Sequence, residues 1–104
     1  MAVDFREVEI RFDPTKGQAQ HEHQLVPFGR PVRRASAAFR AIDVGFTEYD
    51  DHPVWKLKVD IDRLDLLGDN VDVWVTYLLR DASGDIDDIY DGRVVVMVVA
   101  EVAN

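Results

Sequence analysis

Residues 71–80, VDVWVTYLLR, and 93–102, RVVVMVVAEV, decide the fold class. In the first stretch Val71, Val73, Val75, Tyr77 and Leu79 share one face, and Asp72, Trp74, Thr76, Leu78 and Arg80 share the other. That is the two-residue period of a strand. The second stretch is apolar on both faces, so it needs a cover on each side. Valine dominates both, and its branched Cβ suits a pleated surface. Between them lies Asp81–Gly92, DASGDIDDIYDG, which reads as an acidic loop. A chain of 104 residues has little with which to cover a two-sided strand. The expectation is a small antiparallel β-sandwich of about six strands that enlists other copies of itself.

Reading outward, Val8, Ile10 and Phe12 alternate with Glu9 and Arg11, and Asp13-Pro14-Thr15-Lys16-Gly17 reads as the turn that stops this strand. GQAQHEHQ (17–24) is polar and reads as an exposed loop, and LVPFGRPV (25–32), with two prolines, as extended or irregular. RRASAAFRAIDVGF (33–46) allows two readings. A helix puts Ala37, Ala41 and Val44 on one thin face; a strand aligns Ala35, Ala37, Phe39 and Ala41, with a bulge near Asp43 or Gly45. Its β neighbours favour the strand. Trp55, Leu57, Val59 and Ile61 alternate with Lys56, Lys58, Asp60 and Asp62, and Gly68-Asp69-Asn70 is turn chemistry.

The length predicts one domain, 1–104. With no cysteine there is no disulfide framework, thiolate metal site or cysteine nucleophile. The net charge is −8, and it is uneven: residues 1–47 carry +1 and residues 48–104 carry −9. An acidic half repels phosphates and anionic lipid, so neither nucleic acid nor membrane is an expected partner. The N-terminus lacks a secretory pattern, so cytoplasmic residence, or non-classical release, is expected.

Chemistry concentrates in the acidic loop. The carboxylates of Asp81 and Asp85 accept hydrogen bonds from vicinal hydroxyls, Arg80 donates several, and Tyr90 offers a ring for the apolar face of a sugar. The Asp81–Asp91 run also offers oxygens to calcium, although its glycine comes too early for an EF-hand and no glutamate closes it. Trp74 and Leu78 on the polar face of their strand, with Val95 and Met97 on the second face of theirs, are the expected oligomer contacts. His21 and His23 point the same way only on a strand, with no third ligand in view, so no metal site is expected. The phosphate-loop, nucleophile-elbow and zinc-helix motifs are absent, and Asp60 and Asp62, alternating with Lys56 and Lys58, read as a solvated face rather than an acid pair.

The order of features resembles the H-type lectins, the fold of snail agglutinins and of the discoidin lectin domain. The likeness runs over about residues 26–102. It is carried by Phe28, Pro31-Val32, Ala41-Ile42-Asp43, the strand Leu57 to Ile61, Val71 to Tyr77, Ile89-Tyr90 and Val94 to Ala100. Tyr77 and Val98 stand where that family usually has tryptophan, and the loop from Asp81 to Gly92 is longer and more acidic. The resemblance implies a six-stranded antiparallel sandwich, a trimer or hexamer, and binding of galactose or N-acetylgalactosamine-type sugars near protomer contacts, with Arg80, Asp81 and Tyr90 nearest the site. The expected function is therefore a non-enzymatic carbohydrate-binding module acting as an oligomer. The rival is a structural or protein-interaction sandwich subunit that binds no sugar.

Overall fold

The computed structural model describes residues 2–47, 54–81 and 88–104. Six strands run in chain order: β1 (Ala2–Lys16), β2 (Gln20–Pro27), β3 (Val32–Phe46), β4 (Val54–Leu67), β5 (Asn70–Asp81) and β6 (Ile89–Val102). They form two antiparallel three-stranded sheets, β1-β6-β3 and β2-β5-β4, packed face to face with no helix among the described residues. The two decisive stretches are the centres of the two sheets. Only a central strand is flanked on both edges and covered on its inner face, which is why these two carry the densest valine.

The core follows the strand period. Val71, Val73, Val75 and Tyr77 from β5 meet Val94, Val96, Val98 and Val102 from β6, all without solvent exposure. Ile10, Phe12, Val26, Phe28 and Tyr90 extend the cluster. The shape is a rod of 53 × 19 × 18 Å with a radius of gyration of 16.0 Å, against about 13 Å for a chain of this size packed into a ball. Its length comes from strands of 14 and 15 residues, each spanning about 50 Å at ~3.3 Å per residue.

Leu67 pairs with Asn70, leaving Gly68-Asp69 as a two-residue hairpin. Gly68 has φ +65° and no other residue of that turn is left-handed, the pattern of a type II′ turn. The β2–β3 connection docks on this hairpin through Phe28 N–H to the Asp69 carbonyl and Val32 N–H to the Gly68 carbonyl, both 2.9 Å. This is the hairpin end of the rod. The opposite end, where β5 and β6 meet their loop, is the loop end.

Four local expectations change. Of the polar stretch 17–24 read as a loop, the part from Gln20 onward is a strand that continues to Pro27; it is an edge strand, and its Glu22 and Gln24, in register with buried Val75 and Val73, stay exposed at the rim. Asp13-Pro14 does not stop β1, which runs to Lys16 with an irregularity between Phe12 and Thr15. A proline is tolerated there because an edge strand has one row of N–H groups without a ladder partner. Residues 33–46 lie in a strand with an irregularity at its start, between Val32 and Arg34, and a bulge between Phe39 and Ala41, neither near Asp43 or Gly45. That bulge keeps Ala35, Ala37 and Phe39 on the inner face and turns Ala41 to the outer one, in register with Val95. Finally, β6 begins at Ile89, so Tyr90, Asp91 and Gly92 belong to the strand and not to the loop.

Candidate functional site

Two outer surfaces of the rod carry organised chemistry. The first is a cleft of about 440 Å³ at the loop end of the β1-β6-β3 sheet. Its polar wall is Arg11, Asp13, Asp43, Asp91 and Arg93; Pro14, Val44 and Phe46 add apolar surface. Arg11, Arg93 and Asp43 are neighbours because β1, β6 and β3 bring them into one row of the ladder. Arg93 lies 3.5 Å from Glu9 and 3.8 Å from Asp43. Gly92 sets the depth of the floor. A Cβ there would stand 2.7 Å from Val44 Cγ1 and 2.8 Å from the Asp43 carbonyl oxygen, so any side chain would force β3 and β6 apart.

Beneath this end the two tyrosines lock the sheets together. The Tyr77 hydroxyl donates to the Asp91 carbonyl at 2.8 Å, and the Tyr90 hydroxyl donates to the Gln18 carbonyl, with the Tyr77 carbonyl at 3.2 Å. Their rings meet edge to face at 4.9 Å, and Phe12 meets Tyr77 at 5.2 Å. Burial pushes both phenols above their ordinary range. For Tyr90 the Gln20 side chain and the Arg80 charge act in the opposite direction.

Of the expected ligand residues, Arg80 is half-buried on the outer face, Asp81 is buried, and Asp85 lies outside the described residues. Tyr90 is fully buried. Its ring is a core element and is not presented to a sugar, because β6 starts one residue before it and turns it inward. Most of the Asp81–Asp91 run considered for calcium also lies outside the described residues. No group of three or more His, Cys, Asp or Glu side chains that could hold a metal ion occurs among the described residues.

The second surface is the outer face of the β2-β5-β4 sheet. Trp74 stands between the neighbouring strands. His23 stacks on its one side, with ring centroids 4.0 Å apart and planes 5° apart, and the Arg63 guanidinium lies 4.2 Å from its centroid. The Asp72 carboxylate, nearly buried, ties the group together: Trp74 Nε1–H donates to Oδ2 at 3.1 Å, and His23 Nδ1 lies 3.0 Å from Oδ1. One register step along, the Thr76 hydroxyl donates to Asp62 and lies 2.9 Å from His21 Nδ1.

The expected oligomer contacts are covered to a large extent by their own chain. Trp74 and Leu78 are half-buried, as is Met97, and Val95 is 6% exposed. Val95 sits in register between Glu9 and Ala41. Two ion pairs cross the sheet beside it, Arg40 to Glu7 at 2.7 Å and Arg93 to Glu9. The alkyl stems of such arginines shield apolar surface while their heads stay wet. The large apolar side chains more than half exposed among the described residues are others: Val3 and Phe5 on β1, and Val54, Trp55, Leu57 and Leu67 on β4.

Sequence reading overlooked Arg11, Asp13, Asp43 and Arg93 because they lie on three strands and become neighbours only through register. Asp72 and Trp74 are outward by the alternation of their strand; it is their partners His21 and His23 that the loop reading of 17–24 left unplaced. Compared with known proteins, the chain matches no family model, no curated protein and no solved structure.

Proposed function

We propose that this protein is a non-enzymatic, H-type lectin-like carbohydrate-binding module that acts as a homo-oligomer and takes galactose or N-acetylgalactosamine-type sugars at its loop end. The observation that carries this reading is the cleft of Asp13, Asp43, Asp91, Arg11 and Arg93 beside Phe46. A sugar hydroxyl both donates and accepts, so it needs carboxylates and guanidinium groups side by side, and its C–H face needs apolar surface. Arg80 and Asp81 end β5 at the same end of the rod. The six-stranded antiparallel sandwich is also the architecture that the lectin resemblance implies. Single sugar contacts are weak, and an oligomer multiplies them through avidity; exposed Val3 and Phe5 supply apolar surface for assembly.

A glycan array on the purified protein tests the reading, alongside Asp43→Ala and Arg80→Ala variants and light scattering. The expected result is galactose-type binding that Asp43→Ala weakens at least tenfold, by a species larger than a monomer. One observation favours the rival. Val54, Trp55 and Leu57 cluster on the β4 edge, with Trp55 67% exposed, as a protein-contact patch would. A silent array together with a stable oligomer establishes the structural or protein-interaction role instead.

A further inference from the structure

We propose that His21 and His23 form a two-imidazole site for a divalent transition metal such as zinc, on the outer face of the β2-β5-β4 sheet and separate from the sugar cleft. Both residues lie on β2, two apart, opposite Thr76 and Trp74 of β5. Strand alternation therefore sends both rings out of the same face, their Cα atoms about 7 Å apart along the strand. Two imidazoles at that spacing can lean toward one ion.

The hydrogen bonds preset the rings for this role. An ionised carboxylate only accepts, and a threonine hydroxyl has one proton to give. Thr76 gives that proton to Asp62. Its oxygen can then only accept from His21, so His21 carries its proton on Nδ1. Asp72 likewise only accepts, so His23 also carries its proton on Nδ1. In each neutral ring the lone pair is left on Nε2, the nitrogen not engaged by β5. This is the arrangement in which metal-binding histidines are held, with the remote nitrogen free and the other donating toward a carboxylate. Stacking on Trp74 fixes the plane of the His23 ring, and the net charge of −8 raises the local concentration of cations. With two protein nitrogens the ion keeps water in its remaining positions, so the site is one of modest affinity, open to a further ligand.

Zinc titration of the full chain by isothermal calorimetry tests the site, comparing the wild type with a His21→Gln/His23→Gln double variant and with Thr76→Val. Long-range ¹H–¹⁵N spectra of the imidazoles read the tautomers, and a urea midpoint reads folding of each variant. One zinc per chain is expected in the wild type, at least tenfold weaker in the double variant and about tenfold weaker in Thr76→Val. Both rings should show Nδ1–H without metal, and zinc should shift Nε2. Zinc affinity unchanged in the folded double variant overturns the proposal, and so does an Nε2–H tautomer at both rings. Glycan binding is read on the same samples, and its presence or absence does not bear on the zinc result.

Discussion

The outer faces of the two sheets solve one problem by different means. Each central strand carries a large apolar side chain outward, Met97 and Val95 on β6 and Trp74 on β5. On the β1-β6-β3 sheet the cover is ionic: Arg40 spans to Glu7 and Arg93 to Glu9, above valine and alanine. On the β2-β5-β4 sheet it is aromatic, a His23–Trp74–Arg63 stack fastened to a nearly buried carboxylate. Surface ion pairs are screened by water and salt and contribute little each. A stacked indole with its N–H satisfied buries far more apolar area and holds one geometry. The aromatic face should therefore be the rigid one, suited to presenting fixed groups. The ionic face should be adaptable, suited to rearranging around a ligand or a second copy.

The largest test of this contrast is Trp74→Ala. It removes both stacking contacts and one donor to Asp72, with an expected loss of about 2–3 kcal/mol in urea unfolding, somewhat below the figure for a fully buried tryptophan. The loss should hardly change between low salt and about 1 M salt. A cost under about 1 kcal/mol would put the two faces on equal terms and remove the basis for calling this one rigid.

Asp72→Asn asks how much of that rigidity belongs to the anchor. The amide keeps one acceptor, which suits Trp74 Nε1–H, and turns an N–H₂ group toward His23. His23 must then move its proton to Nε2 in order to accept. The expected cost is about 1 kcal/mol, and the His23 tautomer seen by ¹⁵N spectroscopy should invert. An unchanged tautomer would mean that Asp72 does not set the ring.

What could be read from the sequence tracks where side chains alternate between solvent and core. Strand β5, and β6 from Arg93 onward, were legible from the sequence, since Val71, Val73, Val75 and Tyr77 are fully buried as their alternation requires. The edge strand β2 was not legible. A strand at the rim of a narrow sandwich has no dry stripe to advertise it, and Glu22 and Gln24 are wet although in register with core valines. A charge placed on such an edge also discourages further strand pairing. Trp74 was visibly outward, but its covers His23 and Arg63 are set by the register of two separate strand pairs, which alternation alone does not give. The same is true of the cleft. Tyr90 misled for a related reason: the acidic run around it looks like one loop, whereas the ladder to Thr15 and Phe46 extends β6 back through it and sends the ring into the core.

The smallest expected effect probes the ionic cover. Arg40→Ala removes the Glu7 pair and also the alkyl stem beside Val95. At low salt it should cost about 0.2–1 kcal/mol, and at about 1 M salt the ionic part should vanish, leaving the loss of shielding. Arg40→Met keeps the stem without the charge. It should therefore match Arg40→Ala less closely as salt rises and approach the wild type at high salt, judged from urea midpoints at the two salt concentrations. If Met and Ala are equally destabilising at high salt, the stem covers nothing, and Val95 owes its burial to the packing of β1 and β3 alone. In that case the face needs no second copy to dry it even when its ion pairs are broken, and the apolar surface that the outer side of this sheet offers for assembly contracts to Val3 and Phe5 at the hairpin end.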